Sequence, residues 1–418
     1  MQSMASSLPR YDQAAAIVAD YARKLCDTPH QVEQAELAYA SGRVLAQAIV
    51  ADMDQPPFAR STRDGFACRA AEISRHESLP IAGSTHAGES PAGPLPQNAV
   101  WEIMTGAAVP DGADSVVMLE HVEREASRIR LLHGRAISSG DNIVAQGAQS
   151  RRGDELLPPG TVLGAAQIAL AAACGYPEIE IFARPRVAIL TTGDELVRVD
   201  ETPGPGQIRN SNAPMLESLV TAAGGDVAMM LRAADTPEAL DTALAVAMDS
   251  DMLIISGGVS AGKYDLVEPA LQRLGAIFHF TGVQIQPGKP LVFGEVPRKE
   301  KGTALPFFGL PGNPISSAVT FLLFASQVLR ALGGARETGP RFGMARLSQA
   351  TDRKSKPGLT RFLPARCTLS DDGFPDVATV PWHGSGDLPA FAKSNCCVVI
   401  PDDVGVLETG SMVRILFL

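Results

Sequence analysis

From residue 186 onward the sequence alternates between two hydrophobic periods, and no other feature constrains the fold as strongly. β-prone runs at 187–192, 227–231 and 252–255 are separated by helix-like segments at 213–223, 237–248 and 266–274. Strands alternating with helices in this way are the pattern of βαβ units, so residues 185–334 are expected to form an α/β domain. Its sheet should be mostly parallel, with helices on both faces. The alternation continues through 277–280, 291–296 and 306–310, and ends in an apolar helix over 315–332.

The chain has 418 residues, more than the roughly 250–300 at which one core stops growing, so at least two domains are expected. In residues 1–51, Ala14, Ile17, Val18, Tyr21 and Leu25 recur near the helical period, and good helix formers continue over 34–48. Pro56-Pro57 ends that pattern. Over 52–150 short β-prone runs (100–104, 115–119, 128–132) lie between Gly, Pro and Asp clusters, which predicts a small β-rich module. An alanine-rich helix at 164–174 follows. The module therefore reads as an insertion between 1–51 and 151–184, whose helices would pack together. After Gly333-Gly334, hairpin-like runs around Asp371-Asp372-Gly373 predict a β sandwich or barrel over 335–418.

Lys and Arg total 36 against 46 Asp and Glu, a formal charge of −10. That balance removes the general attraction to nucleic acid or anionic lipid, so an anionic ligand must be held locally. The apolar stretches at 162–176 and 318–332 are shorter than the roughly 20 residues of a membrane span. The N-terminal residues lack a basic start followed by an apolar run. Six scattered cysteines and seven dispersed histidines form no zinc pattern and suit reduced thiols. A cytoplasmic protein that binds neither nucleic acid nor membrane is expected.

In an open α/β sheet, ligands bind beyond the carboxyl ends of the strands. The segments that follow the proposed strands here are Gly193-Asp194-Glu195, Ser256-Gly257-Gly258-Val259-Ser260, Pro287-Gly288-Lys289-Pro290 and Pro311-Gly312-Asn313-Pro314. Glycines allow several backbone N–H groups to approach one oxyanion, although the same residues equally suit tight turns and a helix start. Lys289 adds a cation, while Asp194, Glu195 and Asp265 add carboxylates at the same sheet edge. Carboxylates beside a phosphate cradle repel the ligand unless a cation lies between them, and Mg2+ held by one or two carboxylates plus phosphate oxygens would meet that need.

Taken in order, several motifs resemble the molybdopterin molybdenumtransferase family, known also as MoeA and as the E domain of gephyrin. They are Gln55-Pro56-Pro57-Phe58, Asp64-Gly65-Phe66-Ala67, Met104-Thr105-Gly106-Ala107, 109–114, Thr192-Gly193-Asp194-Glu195, 256–260, 287–290 and 309–314. The resemblance implies that adenylated molybdopterin is bound, that its pyrophosphate is cleaved with Mg2+, that molybdate supplies molybdenum to the dithiolene, and that AMP leaves. It implies a four-part chain ending in a β-barrel, and a homodimer whose active site joins the α/β domain of one chain to the β module of the other. A molybdopterin adenylyltransferase and molybdoenzyme-maturation proteins are the partners to expect.

Carried over by motif, Asp64 and Thr105 come from the β module, while Asp194, Glu195, Asp235 and Asp265 supply acids to the α/β site. Asp265 and Glu195 are the expected Mg2+ ligands. Ser256, Gly257, Gly258 and Ser260 would cradle phosphate, with Pro311, Gly312, Asn313 and Pro314 beside them. Lys289 would neutralise anionic charge, and Ser385 would approach the oxyanion. The chain departs from the family at Gln286, where members commonly carry Lys, and at Val144 and Gln149, where they commonly carry Arg and an acid. Arg151 and Arg152 are candidate replacements for the lost cation. A catalytically weak member that binds molybdopterin or serves as a scaffold, and an unrelated nucleotide-binding α/β enzyme, are the alternatives.

Overall fold

Six strands make the central sheet: β1 (Arg186–Thr192), β2 (Asp226–Ala233), β3 (Met252–Ser256), β4 (Ile277–Thr281), β5 (Val292–Arg298) and β6 (Thr303–Leu310). The computed structural model describes residues 8–28, 30–258, 266–298, 302–351, 358–404 and 406–418. The strand order is β2-β1-β3-β6-β5-β4. Neighbours from β2 to β6 are parallel, and β5 is antiparallel to both β6 and β4. The sheet is therefore mostly parallel, as the alternation predicts, with β5 alone reversed.

Alternate side chains of the strands enter two different cores. Ile189, Ile254, Phe293 and Phe308 face one side and pack with the helices Tyr11–Cys26, Asn212–Ala222 and the rod over Pro314–Leu332. Leu190, Leu253, Ile255 and Phe307 face the other and pack with the helices Pro237–Ala247 and Val267–Arg273. Burial on both faces explains why β1 and β3 are almost continuously apolar. Phe293 stacks on Phe308 at 4.5 Å, and burying each such ring stabilises the fold by about 1.5–3 kcal/mol. The rod over Pro314–Leu332 has 19 residues and is long and apolar enough to cross a membrane, but 83% of its window is buried in the protein. The apolar count over 318–332 thus understates its length, and the rod is a core helix.

The expectation of helix over 34–48 fails. Val32–Glu36 is a strand paired antiparallel with Glu178–Phe182, and Ile49–Val50 pairs with Glu155–Leu157. Helix-forming residues there are overridden by pairing with a partner strand far along the chain. The helices flanking the β module do not pack together either. Tyr11–Cys26 lies on the α/β core, whereas Ala165–Ala173 packs with Ala40, Leu45, Ile49 and Ile181.

Between these flanking strands, six short strands over 65–131 form a separate sheet with its own apolar clusters around Phe66 and Trp101. At the C-terminal end, Phe342–Leu347, Thr360–Leu369, Pro375–Thr379, Cys396–Ile400 and Met412–Phe417 close into a five-stranded barrel. The closing pair is Thr360–Leu369 with Cys396–Ile400. Ile285–Gln286 joins the barrel wall beside Thr360 and Arg361, so the segment leading to Lys289 is anchored to two domains at once.

Candidate functional site

The loop after β3 is shaped by two consecutive glycines in the left-handed region, Gly257 (φ 93°) and Gly258 (φ 64°). A Cβ at Gly257 would lie 2.7 Å from the Thr192 carbonyl oxygen, and one at Gly258 would lie 2.8 Å from Thr192 Oγ1. Only glycine lets β3 leave the sheet this close to the end of β1. The Gly257 N–H donates to Leu310 O at 3.3 Å, so it extends the β3–β6 ladder instead of facing a ligand. The Thr192 hydroxyl is buried and has no hydrogen-bond partner among the described residues.

Asn212, at the start of the helix after β1, ties the loops together. Its Nδ2 donates to Ser256 Oγ at 2.9 Å and to Gly312 O at 2.7 Å. Its buried Oδ1 finds no partner among the described residues. Pro311, Gly312, Asn313 and Pro314 make the turn that starts the apolar rod, with Pro314 at its first position and Asn313 at its cap. The Asn313 side chain does not cap that helix. It donates from Nδ2 to Ser385 Oγ at 2.9 Å, joining the α/β domain to the barrel region across 72 residues of sequence.

Two adjoining clefts result. One, of ≈ 290 Å³, is lined by Glu195, Asp235, Gly257, Gly258 and Gly312. The other, of ≈ 340 Å³, is lined by Gln286, Lys289, Trp382, Gly384 and Ser385. Pro290, Pro311 and Asn313 border both. Acids thus stand at one end and a lysine and a serine hydroxyl at the other.

Asp194, Glu195 and Asp235 crowd the acidic end. The Asp235 N–H donates to Asp194 Oδ1 at 3.2 Å, and Glu195 folds back over Gly193, within 2.6 Å of where a Cβ would stand. Partial burial and then the Asp194 charge, with a smaller contribution from Glu195, push the Asp235 carboxyl above its ordinary range. An acid with a raised folded pKa binds its proton more tightly when folded. Stability therefore falls as pH rises from the ordinary carboxylate range through the raised value. Asp235→Asn is expected to raise the melting temperature at neutral pH by about 2 °C and to give no gain below the carboxylate range. Thermal melts at two pH values check this, and a variant less stable than wild type at neutral pH would remove the case for crowded charge.

Asp64 and Thr105 are brought together in the β module, where the Thr105 N–H and hydroxyl both donate to Asp64 Oδ1, at 2.7 and 2.9 Å. The donated backbone N–H, then the hydroxyl, holds the Asp64 carboxyl below its usual range. Neither residue lines the two clefts of its own chain. Arg151 and Arg152 also lie outside them, in a turn where the Arg152 N–H donates to Asp54. Ser260 and Asp265 fall outside the described residues. Sequence reasoning missed Asn212 and Trp382 as site residues. The Asn210-Ser211-Asn212 run carried a signal only for a helix start, and nothing local marked Trp382.

Three segments that span most of the chain match known families. Residues 10–175 match the MoeA N-terminal region (domain I and II), 188–331 a probable molybdopterin binding domain, and 346–418 the MoeA C-terminal region (domain IV). A molybdopterin molybdenumtransferase from a Nostoc species is 34% identical over 98% of this chain and 94% of the relative. One from Haemophilus influenzae is 30% identical over 93% and 94%. The crystal structure of the molybdopterin biosynthesis MoeA protein from Pyrococcus horikoshii OT3 superposes with a TM-score of 0.79 at 27% identity, covering 99% of this chain and 100% of that one. The three matched regions in order, together with relatives that align end to end, establish that the chain belongs to the molybdopterin molybdenumtransferase (MoeA) family of molybdenum cofactor biosynthesis enzymes.

Proposed function

We propose that the chain transfers molybdenum from molybdate to adenylated molybdopterin and releases AMP, with Mg2+ as the cofactor. The observation that carries this reading is the pair of adjoining clefts, acidic at the glycine loop and cationic at Lys289. The phosphoanhydride would lie at the acidic end near Gly258, and the oxyanion at the other end, where Lys289 supplies charge and Ser385 a hydroxyl fixed by Asn313.

Hard carboxylate oxygens suit Mg2+, and Asp235 is raised first by partial burial and then by the Asp194 and Glu195 charges, which a divalent cation there would offset. Among the described residues no three His, Cys, Asp or Glu side chains converge on one metal position. Glu195 and Asp235, with Asp265, would therefore hold the ion together with substrate phosphate and water. When bound, Mg2+ offsets the charge that builds on the phosphate oxygens. The chain's own residues orient the phosphates by the glycine turn and keep the two loops in register through Asn212.

The test is incubation of the purified chain with adenylated molybdopterin, Mg2+ and molybdate, followed by measurement of AMP and of cofactor able to activate an apo-molybdoenzyme. Both products support the reading. Absence of AMP overturns it, and AMP without active cofactor reduces it to a hydrolase.

The same reading includes a homodimer, since Asp64 and Thr105 stay outside the clefts of their own chain. Mixing Asp64→Ala chains with Glu195→Ala chains should restore about a quarter of wild-type activity, because half the dimers are mixed and each has one intact site. Monomers by sedimentation, or no recovery after verified exchange, would defeat the dimer. Gln286 lines the oxyanion cleft beside Lys289. Gln286→Lys should tighten molybdate binding about 5- to 30-fold at low ionic strength and less at high. Titration at two salt concentrations decides this, and unchanged or weaker affinity would show that the charge is not needed there.

A further inference from the structure

A third cleft, of ≈ 530 Å³, opens where the segment around Arg43, the α/β domain and the end of the barrel meet, and it shares no residue with the two site clefts. Leu322, Leu329 and Phe417 supply apolar wall, and Phe417 is 44% exposed. Among the described residues four arginines also line it, against one acidic side chain, Glu337.

The arginines differ in how they are compensated. Arg43 is paired with Glu33 and donates to Phe182 O. Arg330, half-buried in the last turn of the rod, donates from Nη1 to Thr338 O at 3.2 Å and Gly339 O at 2.9 Å. Both acceptors are neutral carbonyls, so they fix the guanidinium without balancing its charge. Arg341 stands close enough that, after burial, its charge is the second influence lowering the proton affinity of Arg330. Among the described residues the side chains of Arg184 and Arg341 make no hydrogen bond or ion pair; the Arg341 backbone carbonyl accepts from the Phe417 N–H. A half-buried guanidinium beside a second one is costly unless an anion joins them, and planar guanidinium forks match phosphate oxygens.

We propose that this cleft is a second ligand site for a phosphorylated organic anion, with the phosphate on Arg330 and Arg341 and the apolar body against Leu322, Leu329 and Phe417. Its volume lies in the range of about 300–1,000 Å³ typical of small-molecule sites and exceeds what inorganic phosphate fills. The site is independent of the molybdenum chemistry.

The probe is phenyl phosphate, titrated calorimetrically into the full chain beside inorganic phosphate. Phenyl phosphate is expected to bind at least about tenfold tighter than inorganic phosphate, since the ring buries apolar area as well. Arg341→Gln, an exposed position, should weaken it about tenfold, and Arg184→Gln less. Lys289→Ala should leave it unchanged, which places the probe away from the reaction site. Arg330→Lys keeps the charge but loses the fork, and should weaken phenyl phosphate more than inorganic phosphate. The proposal is overturned by no saturable binding, by equal affinity for the two phosphates, or by wild-type affinity in both Arg341→Gln and Arg184→Gln. Loss of the probe with Lys289→Ala, or a change of sedimenting mass in Arg341→Gln, would also overturn it. The first of these assigns the probe to the reaction site, and the second assigns the face to contact between copies.

Discussion

Gly257→Ala is expected to lower the rate of AMP release by about a hundredfold or more while leaving a folded protein. At φ 93° an alanine is strained by about 1–2 kcal/mol, and its Cβ would stand 2.7 Å from the Thr192 carbonyl oxygen. That oxygen belongs to β1, which is paired on both sides, with β2 and with β3 through Thr191 and Ser256. The sheet cannot yield, so the loop must shift. Misplacing a bound reacting group by about 1 Å costs on the order of 10²-fold in rate. Gly258→Ala should cost less, because its close neighbours are the side chains of Thr192 and Val267, which can move. AMP release and thermal melts of both variants check the ranking. Wild-type turnover in Gly257→Ala would mean that this loop does not seat the phosphates.

Glu195→Gln is expected to reduce AMP release on the order of 10²-fold, since the proposed Mg2+ site would lose one charged ligand and with it several kcal/mol of transition-state stabilisation. The exposed carboxylate lines the acidic cleft and contributes little to packing, so the melting temperature should change by less than about 2 °C. The Mg2+ concentration for half-maximal rate should rise about tenfold, with partial recovery at saturating Mg2+. Rates measured across a Mg2+ titration test both points. An unchanged Mg2+ dependence would leave the metal to Asp235 and Asp265 and make Glu195 a bystander.

These two variants also divide what could be read locally from what could not. The βαβ alternation was legible because apolar spacing within ten residues or so already separates a strand from a helix. The barrel showed through its hairpin turn residues, and the glycine loop and the acids through chemistry that stands adjacent in sequence. Residues 34–48 were misread because their intrinsic preference is helical, while the stronger interaction is pairing with Glu178–Phe182. The reversal of β5 was equally hidden, since a strand's side-chain pattern does not record its direction.

The sequence by itself determined most of the elements, the family and the polar groups that end the strands, all of which depend on neighbouring residues. Only the tertiary structure decided that Asn212 clamps Ser256 to Gly312 and that Asn313 meets Ser385 across 72 residues. It also decided that Asp64 and Thr105 pair away from the clefts of their own chain. Such contacts follow from how sheet, rod and barrel pack, and packing is a property of distant residues brought together, which no local period encodes.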